Sequence, residues 1–278
     1  MQLIYINGGI FLAMMVLQVI FYLTGTIESF KMLSYYLTIP ASPTLLLYRP
    51  WTILTHMFIH DGFLHILFNM VWLYFGGSLF LRFHDSKRLL STYLIGGLIG
   101  ALTFVLAMNL FPVFSSSAPY AFAQGASAAV LAIVVAVATT APNYVVQLVL
   151  IGSIRLKYIA IVSVILDILM IPNGNAGGHF GHLGGALWGF VFASQLKSGR
   201  DLTIDFLRPI YWIKELLKRE SRPIKVVHSK PKSRYEHQEE KASKQEQIDA
   251  ILDKIKRSGY DSLSKKEKEI LFKASKDI

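Results

Sequence analysis

Long apolar stretches separated by short polar segments dominate residues 1–198. Six of them approach the length of about 20 residues that a helix needs to cross a membrane. They lie at roughly residues 8–25, 56–80, 89–111, 126–141, 157–172 and 180–197. The fourth and fifth are short, and the segment between them is also apolar. The pattern predicts an all-α, polytopic membrane protein with six transmembrane helices.

Charge separates this apolar part from a polar C-terminal tail. Residues 1–198 hold 12 of the 46 charged residues, and residues 199–278 hold the other 34. The net charge is +10, and most of it lies beside apolar segments, so we expect the lipid bilayer as a partner and no nucleic acid. The chain has no cysteine, which excludes disulfides, a thiol nucleophile and thiolate metal ligands.

The sequence divides into three predicted domains. Residues 1–198 form the six-helix membrane domain, and residues 199–245 form a juxtamembrane basic amphipathic helix, at 204–220, followed by a flexible linker. Residues 246–278 form a small cytoplasmic helical hairpin. Gly259 is suited to end the first helix of the hairpin, and Ser264 with Glu267 matches a capping box that would begin the second.

Lysine and arginine in the short loops predict the orientation of the helices. Basic residues follow the second, fourth and sixth apolar stretches, whereas the loops after the third and fifth stretches contain none. We therefore expect both termini in the cytoplasm. On this topology the second, fourth and sixth helices begin at the outer face of the membrane.

Polar side chains within apolar segments are costly and indicate functional sites. They cluster at the outer ends of three predicted helices: His56, His60, His65 and Asn69 on the second, Ser127, which follows Gly125, on the fourth, and His179 and His182 on the sixth. The fifth helix contains Asp167, which belongs to no motif. We interpret it as a buried hydrogen-bonded residue or as an acid near a loop.

The predicted common depth of these residues suggests acyl-transfer chemistry. A neutral histidine can take the proton of a serine, so Ser127 and His182 could form a nucleophile and its base. His65 and Asn69 share a helix face and can donate hydrogen bonds to an oxyanion, as can the backbone N–H of Ser127. Gly185 would let the sixth helix approach the fourth closely, and Gly189 would act in the same way.

Three motifs together resemble those of the rhomboid intramembrane serine proteases. The segment RPWTILTHMFIHDGFLHILFNM, at residues 49–70, resembles their second-helix signature. The Gly125-Ala126-Ser127 run resembles their nucleophile motif, and His182, Gly185 and Gly189 follow the HxxGxxxG spacing of their sixth helix. The resemblance covers roughly residues 8–198, excludes the tail, and fits the six-helix bacterial form in the cytoplasmic membrane.

The resemblance implies a role for each of these residues. Ser127 would be the nucleophile and His182 the general base and acid, in a dyad that needs no aspartate, metal or cofactor. His65 and Asn69 would form the oxyanion hole. Supporting roles fall to Gly125, His60, His56, Gly185 and Gly189. Substrates would be transmembrane segments of other proteins, cut after a small residue near their outer ends.

The chain departs from the family pattern at two positions. Ala128 follows the nucleophile where the family usually has glycine, and Thr52 follows Trp51 where the family usually has arginine; Arg49 comes before that tryptophan instead. We expect alanine to be tolerated beside Ser127, because alanine is also small.

Alternative interpretations stay open. One is a catalytically inactive rhomboid-like protein that binds membrane helices, and Ala128 is the feature in its favour. Another is a metal-dependent membrane protein, in which Asp61 would be the only well-placed carboxylate; its other ligands would be His56, His60, His65, His179 and His182. His179 also competes with His182 as the base, although the motif spacing favours His182.

Overall fold

The structure is a computed structural model that describes residues 2–148, 152–203, 206 and 234–274. The chain divides into two compact units, Met1–Lys218 and Arg219–Ile278. Apart from residue 206, the predicted basic helix at 204–220 and the following residues up to 233 lie outside the described residues.

The first unit is a bundle of α-helices, which confirms the predicted all-α class. The helices are α1 (Gln2–Leu23), α2 (Ile27–Leu37), α3 (Pro43–Tyr48), α4 (Thr52–Thr55), α5 (Phe63–Phe83), α6 (Ser86–Leu110), α7 (Ser127–Thr140), α8 (Leu156–Met170) and α9 (Ala176–Lys197). Two short antiparallel ladders accompany them. They pair β1 (Ile39–Pro40) with β2 (Phe122–Ala123), and β3 (Val145–Leu148) with β4 (Gly152–Arg155).

A helix lies within each of the six predicted apolar stretches. Among the described residues, four helices are long and apolar enough to cross a membrane, namely α1, α5, α6 and α8 with the turn that follows it. Helix α7 has 14 residues and is apolar but short. Helix α9 has 22 residues and is rich in glycine. The chain is thus a polytopic membrane protein in which two of the predicted spans are short or less apolar.

The short helix α7 lies at the centre of the bundle. Most of its alanine and valine side chains are buried, and it packs against α5, α6, α8 and α9. Helix α1 is peripheral by contrast, because Asn7 is its only buried residue. The Asn7 amide hydrogen-bonds the hydroxyl of Tyr93 on α6 at 3.1 Å. Central helices can be short because protein, rather than lipid, surrounds them.

The second long helix begins later than the hydropathy pattern indicates. We predicted a helix from about residue 56, but His56–Phe58 forms a 3-10 turn and Ile59 is extended. Gly62 is extended as well, and α5 begins at Phe63. The prediction that His56 and His60 lie on the second helix is therefore wrong.

The segment between α1 and α5 is folded against the strand that precedes α7. Its strand β1 pairs with β2, and Ala41 donates a backbone hydrogen bond to the carbonyl of Ala121. The Trp51 indole donates to the carbonyl of Tyr36 at 2.8 Å. Arg49 stacks over the Tyr36 ring at 4.0 Å. The arginine that precedes the tryptophan is thus held within this segment.

The second unit contains a helical hairpin. Its helices are α10 (Arg234–Ser258) and α11 (Lys265–Ala274), joined through a 3-10 turn at Tyr260–Ser262. Helix α10 starts within the predicted linker, twelve residues before the predicted hairpin boundary at 246. Gly259 follows α10 with a φ of 80°, a conformation that favours glycine. Ile251 and Leu263 are buried within the unit.

Hydrogen bonds at the start of α11 form the two halves of a capping box. The Ser264 N–H donates to the Glu267 carboxylate at 2.7 Å, and the Glu267 N–H donates to the Ser264 hydroxyl at 3.3 Å. Lys254 on α10 also bonds this carboxylate at 2.9 Å. The Lys254 ammonium, together with the donors of Ser264, lowers the pKa of Glu267 to about 2.

Candidate active site

Ser127 and His182 are in contact near the N-terminal ends of their helices. Ser127 is the first residue of α7, and its hydroxyl lies 2.7 Å from Nε2 of His182 on α9. This separation is that of a hydrogen bond between a hydroxyl donor and an imidazole acceptor. The chain separates the two residues by 55 positions, so tertiary packing alone creates the contact.

Glycines on α9 bring its backbone against that of α7. A Cβ atom on Gly185 would overlap the carbonyl group of Ala128, and one on Gly189 would overlap the carbonyl group of Ala132. Helices can approach this closely only where side chains are absent. The approach places His182, one turn before Gly185, beside Ser127.

Ala128, which stands where the family usually has glycine, is accommodated by a glycine on the facing helix. A Cβ atom added to Gly100 of α6 would lie 2.5 Å from the Ala128 methyl group. Because Gly100 has no side chain, that methyl group is buried without displacing α6. The structure therefore contains room for the additional methyl group next to the serine.

Asp167 on α8 contacts both histidines of α9. Its Oδ1 atom lies 2.7 Å from Nδ1 of His182 and 2.8 Å from Nδ1 of His179. The interpretation of Asp167 as a buried hydrogen-bonded residue fits this position, but its partners could not be read from the sequence. The sequence signal for its importance was a charged side chain within an apolar helix.

His65 lines the same cavity as Ser127. Its Nδ1 atom accepts a hydrogen bond from the backbone N–H of Asp61 at 3.4 Å, so the ring proton of the neutral imidazole belongs on Nε2. That Nε2 atom approaches Gly125, because a Cβ atom there would lie 2.7 Å from it. Gly125 also has a φ of 115°, so both conformation and space require glycine. The Nε2 atom of His65 thus carries an N–H donor that lies against the glycine two residues before Ser127.

Asn69 lies one turn further along α5 and is buried. Its amide donates one hydrogen bond to the carbonyl of His65 at 2.9 Å. The amide nitrogen carries a second hydrogen that can serve as a donor. The backbone N–H of Ser127 has no partner within α7, because Ser127 is the first residue of that helix. His65, Asn69 and Ser127 line one cavity, and each of them retains an N–H group that can donate a hydrogen bond.

His56 and His60 hold the backbone of the segment that precedes Ser127. The carbonyl of His56 accepts from the N–H of Gly125 at 2.8 Å. The His60 Nε2 atom accepts from the N–H of Ala126 at 3.4 Å, and its Nδ1 atom donates to the carbonyl of Phe58. Neither histidine forms a hydrogen bond to Ser127 within the described residues, so both act through the backbone.

A cavity of about 550 Å³ opens over the serine. Four stretches of the first unit line it, and their residues include Thr38, Phe68, Gln124, Asn175 and Gly178, together with Ser127, His182, His65 and Asn69. Its walls combine apolar and hydrogen-bonding groups, which is the usual character of a binding cleft. The Gln124 side chain hydrogen-bonds Asp61 at its rim.

The histidines named for a metal site do not form one group. Among the described residues, the one group of three side chains with metal-ligand geometry is Asp167, His179 and His182, whose ligand atoms lie within 4.8 Å of one another. His56, His60 and His65 are outside it. The expectation that Asp61 would be the only carboxylate near these histidines is wrong, because Asp167 of α8 contacts two of them.

Comparison with known families identifies the first unit. The rhomboid domain model matches residues 48–198, which is more than half of the chain. The chain therefore belongs to the rhomboid family, as its motifs predict, and is a multi-pass membrane protein.

A curated relative and a second family model complete the comparison. RHOMBOID-like protein 12, mitochondrial, of Arabidopsis thaliana is 29% identical over 161 residues, which cover 55% of this chain and 48% of that protein. The chain thus spans about half the length of this relative. Residues 234–277 match a family of unknown function, DUF6576. That match begins where α10 begins.

Proposed function

We propose that this chain is an intramembrane serine endopeptidase that cleaves transmembrane segments of other membrane proteins. The observation that carries the proposal is the 2.7 Å contact between the Ser127 hydroxyl and Nε2 of His182. A serine in such contact with an imidazole acceptor is activated as a nucleophile. The rhomboid family membership supports the same chemistry.

In the proposed reaction, His182 takes the proton as the Ser127 oxygen attacks a peptide carbonyl. The negative charge that develops on the carbonyl oxygen is stabilised by the N–H groups of His65, Asn69 and Ser127. His182 then protonates the departing amine, which leaves an acyl-enzyme. Water, deprotonated by His182, attacks the ester and regenerates the serine.

The substrate must supply an unwound stretch of chain. Backbone groups in a membrane helix are already hydrogen-bonded within the helix, so an intact helix cannot present a free carbonyl to Ser127. The cavity over the serine has polar walls that can receive a locally extended segment and water. We propose single-pass proteins with helix-weakening residues as substrates, cut after a small residue near their outer ends. We also propose that both termini of the enzyme lie in the cytoplasm.

Covalent labelling with a fluorophosphonate probe tests the proposal. The detergent-solubilised full chain should label, Ser127→Ala should not, and His182→Ala should label about 100- to 10,000-fold more slowly. Ser198→Ala is the serine control, because its hydroxyl bonds the carbonyl of Ser194 at the end of α9 away from Ser127; it should label as the wild type does.

Cleavage of a single-pass model substrate should follow the same order. His65→Ala and Asn69→Ala should each lower the rate about 100- to 1,000-fold, since each removes one oxyanion donor. Equal cleavage by the Ser127→Ala variant would contradict the protease assignment. If the wild type neither labelled nor cleaved, the inactive helix-binding interpretation would replace it.

A further inference from the structure

A carboxylate from a third helix lies behind the catalytic histidine. The Oδ1 atom of Asp167 contacts Nδ1 of His182 at 2.7 Å, on the side of the ring opposite to Ser127. Its side chain is 12% exposed, and α8 is otherwise apolar around it. A carboxylate is retained in such surroundings only where hydrogen-bond donors compensate for the loss of water.

We propose that Asp167 is a positioning residue, which fixes the ring orientation and the tautomer of His182, and that His179 in turn fixes the carboxylate. The inference rests on the proposed function, since it assigns a role in the same reaction. It extends the two-residue mechanism that the sequence motifs imply to a chain of four side chains. In order, these are Ser127, His182, Asp167 and His179.

The tautomer argument follows from the two contacts of the His182 ring. An ionised carboxylate only accepts hydrogen bonds, so the proton of the neutral imidazole must lie on Nδ1, facing Asp167. Nε2 then carries the lone pair that accepts the proton of Ser127. In the other tautomer, Nε2 carries a hydrogen and cannot act as the base. Asp167 therefore favours the one tautomer that is competent for attack.

The same carboxylate faces the charge that forms during the reaction. When His182 takes the serine proton, its ring becomes an imidazolium beside the Asp167 oxygen. The attraction between the two charges is strong in surroundings from which water is largely excluded. Asp167 thus stabilises the state in which the serine oxygen attacks, without touching the substrate itself.

His179 occupies the second donor position at Asp167. Its Nδ1 atom lies 2.8 Å from the same Oδ1 atom, and its ring is perpendicular to that of His182. His179 precedes His182 by three residues, so both rings project from one face of α9. His179 has no hydrogen bond to Ser127 within the described residues. It therefore supports the carboxylate rather than competing with His182 as the base.

The first experiment measures labelling rates in the full chain in detergent. Asp167→Asn keeps the size of the side chain but removes its charge, and we expect a 10- to 1,000-fold slower fluorophosphonate reaction. His179→Gln should slow labelling less than Asp167→Asn, because Asp167 keeps its bond to His182. Ser198→Ala, at the C-terminal end of α9, is the serine control and should change labelling less than twofold.

The second experiment observes the tautomer directly. The ¹⁵N spectrum of histidine-labelled protein should show His182 protonated at Nδ1 in the wild type, with the signal assigned by its absence from His182→Gln. In Asp167→Asn, the population protonated at Nε2 should increase. A residue with a merely structural role would not redistribute this proton. In substrate cleavage, kcat should fall while KM changes less than twofold.

The outcomes separate this inference from the proposed function. If the wild type labels and Asp167→Asn labels equally fast with the same His182 tautomer, the positioning role is overturned and the protease assignment stands. If the wild type does not label but Asp167 still fixes the tautomer, the protease assignment fails while the structural relation holds. Loss of wild-type labelling on chelation by EDTA would show that Asp167, His179 and His182 hold a metal ion, and would overturn the inference.

Discussion

The membrane unit and the C-terminal hairpin hold their helices together with opposite kinds of residues. In the membrane unit, Gly100, Gly185 and Gly189 let three helices touch backbone to backbone around α7. In the hairpin, an ion pair between Lys254 and Glu267 and a capping box accompany a small number of buried side chains. Close contact between small residues joins the helices of the membrane unit, whereas charged side chains join those of the hairpin.

The surroundings of each unit explain this difference. Lipid gives apolar helices little reason to associate, so close packing of small residues and hydrogen bonds must hold them. Polar groups are then tolerated only where partners are fixed, as Asp167 is by His182 and His179. In the hairpin the side chains of Lys254 and Glu267 are 44% and 26% exposed, so water still solvates part of their ion pair. The polar site accordingly lies where the glycine-mediated packing is closest.

The largest expected effect comes from adding one methyl group between α7 and α9. Gly185→Ala would force a Cβ atom onto the carbonyl of Ala128. Because the overlap involves backbone atoms, no side-chain rotation can remove it. We expect a loss of about 3 kcal/mol or more of stability. Thermal unfolding in detergent and fluorophosphonate labelling would measure it.

Gly77→Ala provides the matched control for that substitution, because a Cβ atom there has no neighbour within 4 Å. It should leave the unfolding temperature nearly unchanged or slightly raised. Equal unfolding temperatures for the two variants would show that glycine-mediated contact does not hold the membrane unit together. Hydrogen exchange in α10 and α11 should stay unaltered in both variants.

The next effect tests the buried contact of the hairpin. Ile251→Ala removes a side chain that is 5% exposed, and we expect it to destabilise the hairpin by about 2 kcal/mol. Faster hydrogen exchange in α10 and α11 of the full chain would report this, with fluorophosphonate labelling unchanged. Leu252→Ala, at the neighbouring exposed position, is the control. Comparable exchange in the two variants would contradict a specific core.

A smaller effect is expected where α6 faces Ala128. Gly100→Ala places a methyl group against Ala128, and also 2.9 Å from the carbonyl oxygen of Gly181. The better helix propensity of alanine offsets part of this cost, so we expect a loss of about 1–2 kcal/mol. Adding Ala128→Gly should restore part of the unfolding temperature. Absence of any rescue would show that the two methyl groups do not compete for the same space.

The smallest effect concerns the charge of Glu267. Since its pKa in the folded hairpin is about 2, below the ordinary 4.5, its ionised form contributes stability above pH 4.5 that is lost as the pH falls towards 2. Glu267→Gln should therefore exchange faster than the wild type in α11 at pH 7 and equally fast at pH 2. Glu269→Gln, in an exposed pair with Lys273, serves as the control. A difference that persists at pH 2 would contradict the ionic origin.

Local patterns determined the helices and the motifs of this protein. Apolar runs long enough for a membrane placed the main helices, and the three motifs that contain His65, Ser127 and His182 together predicted the family. The capping residues of the hairpin were also readable, because they act within one turn of a helix. The start of α5 was not, since hydropathy does not register the extended backbone of Ile59 and Gly62.

The sequence by itself indicated the residues that we propose as a serine nucleophile, its base and its oxyanion donors. Only the tertiary structure decided that Asp167 belongs beside His182, and that Gly100 leaves room for Ala128. Both relations join different helices and depend on how those helices are rotated and how closely they approach. Neither the rotation of a helix nor its distance from a neighbour can be read from the local sequence, because each is set by the packing of many side chains at once.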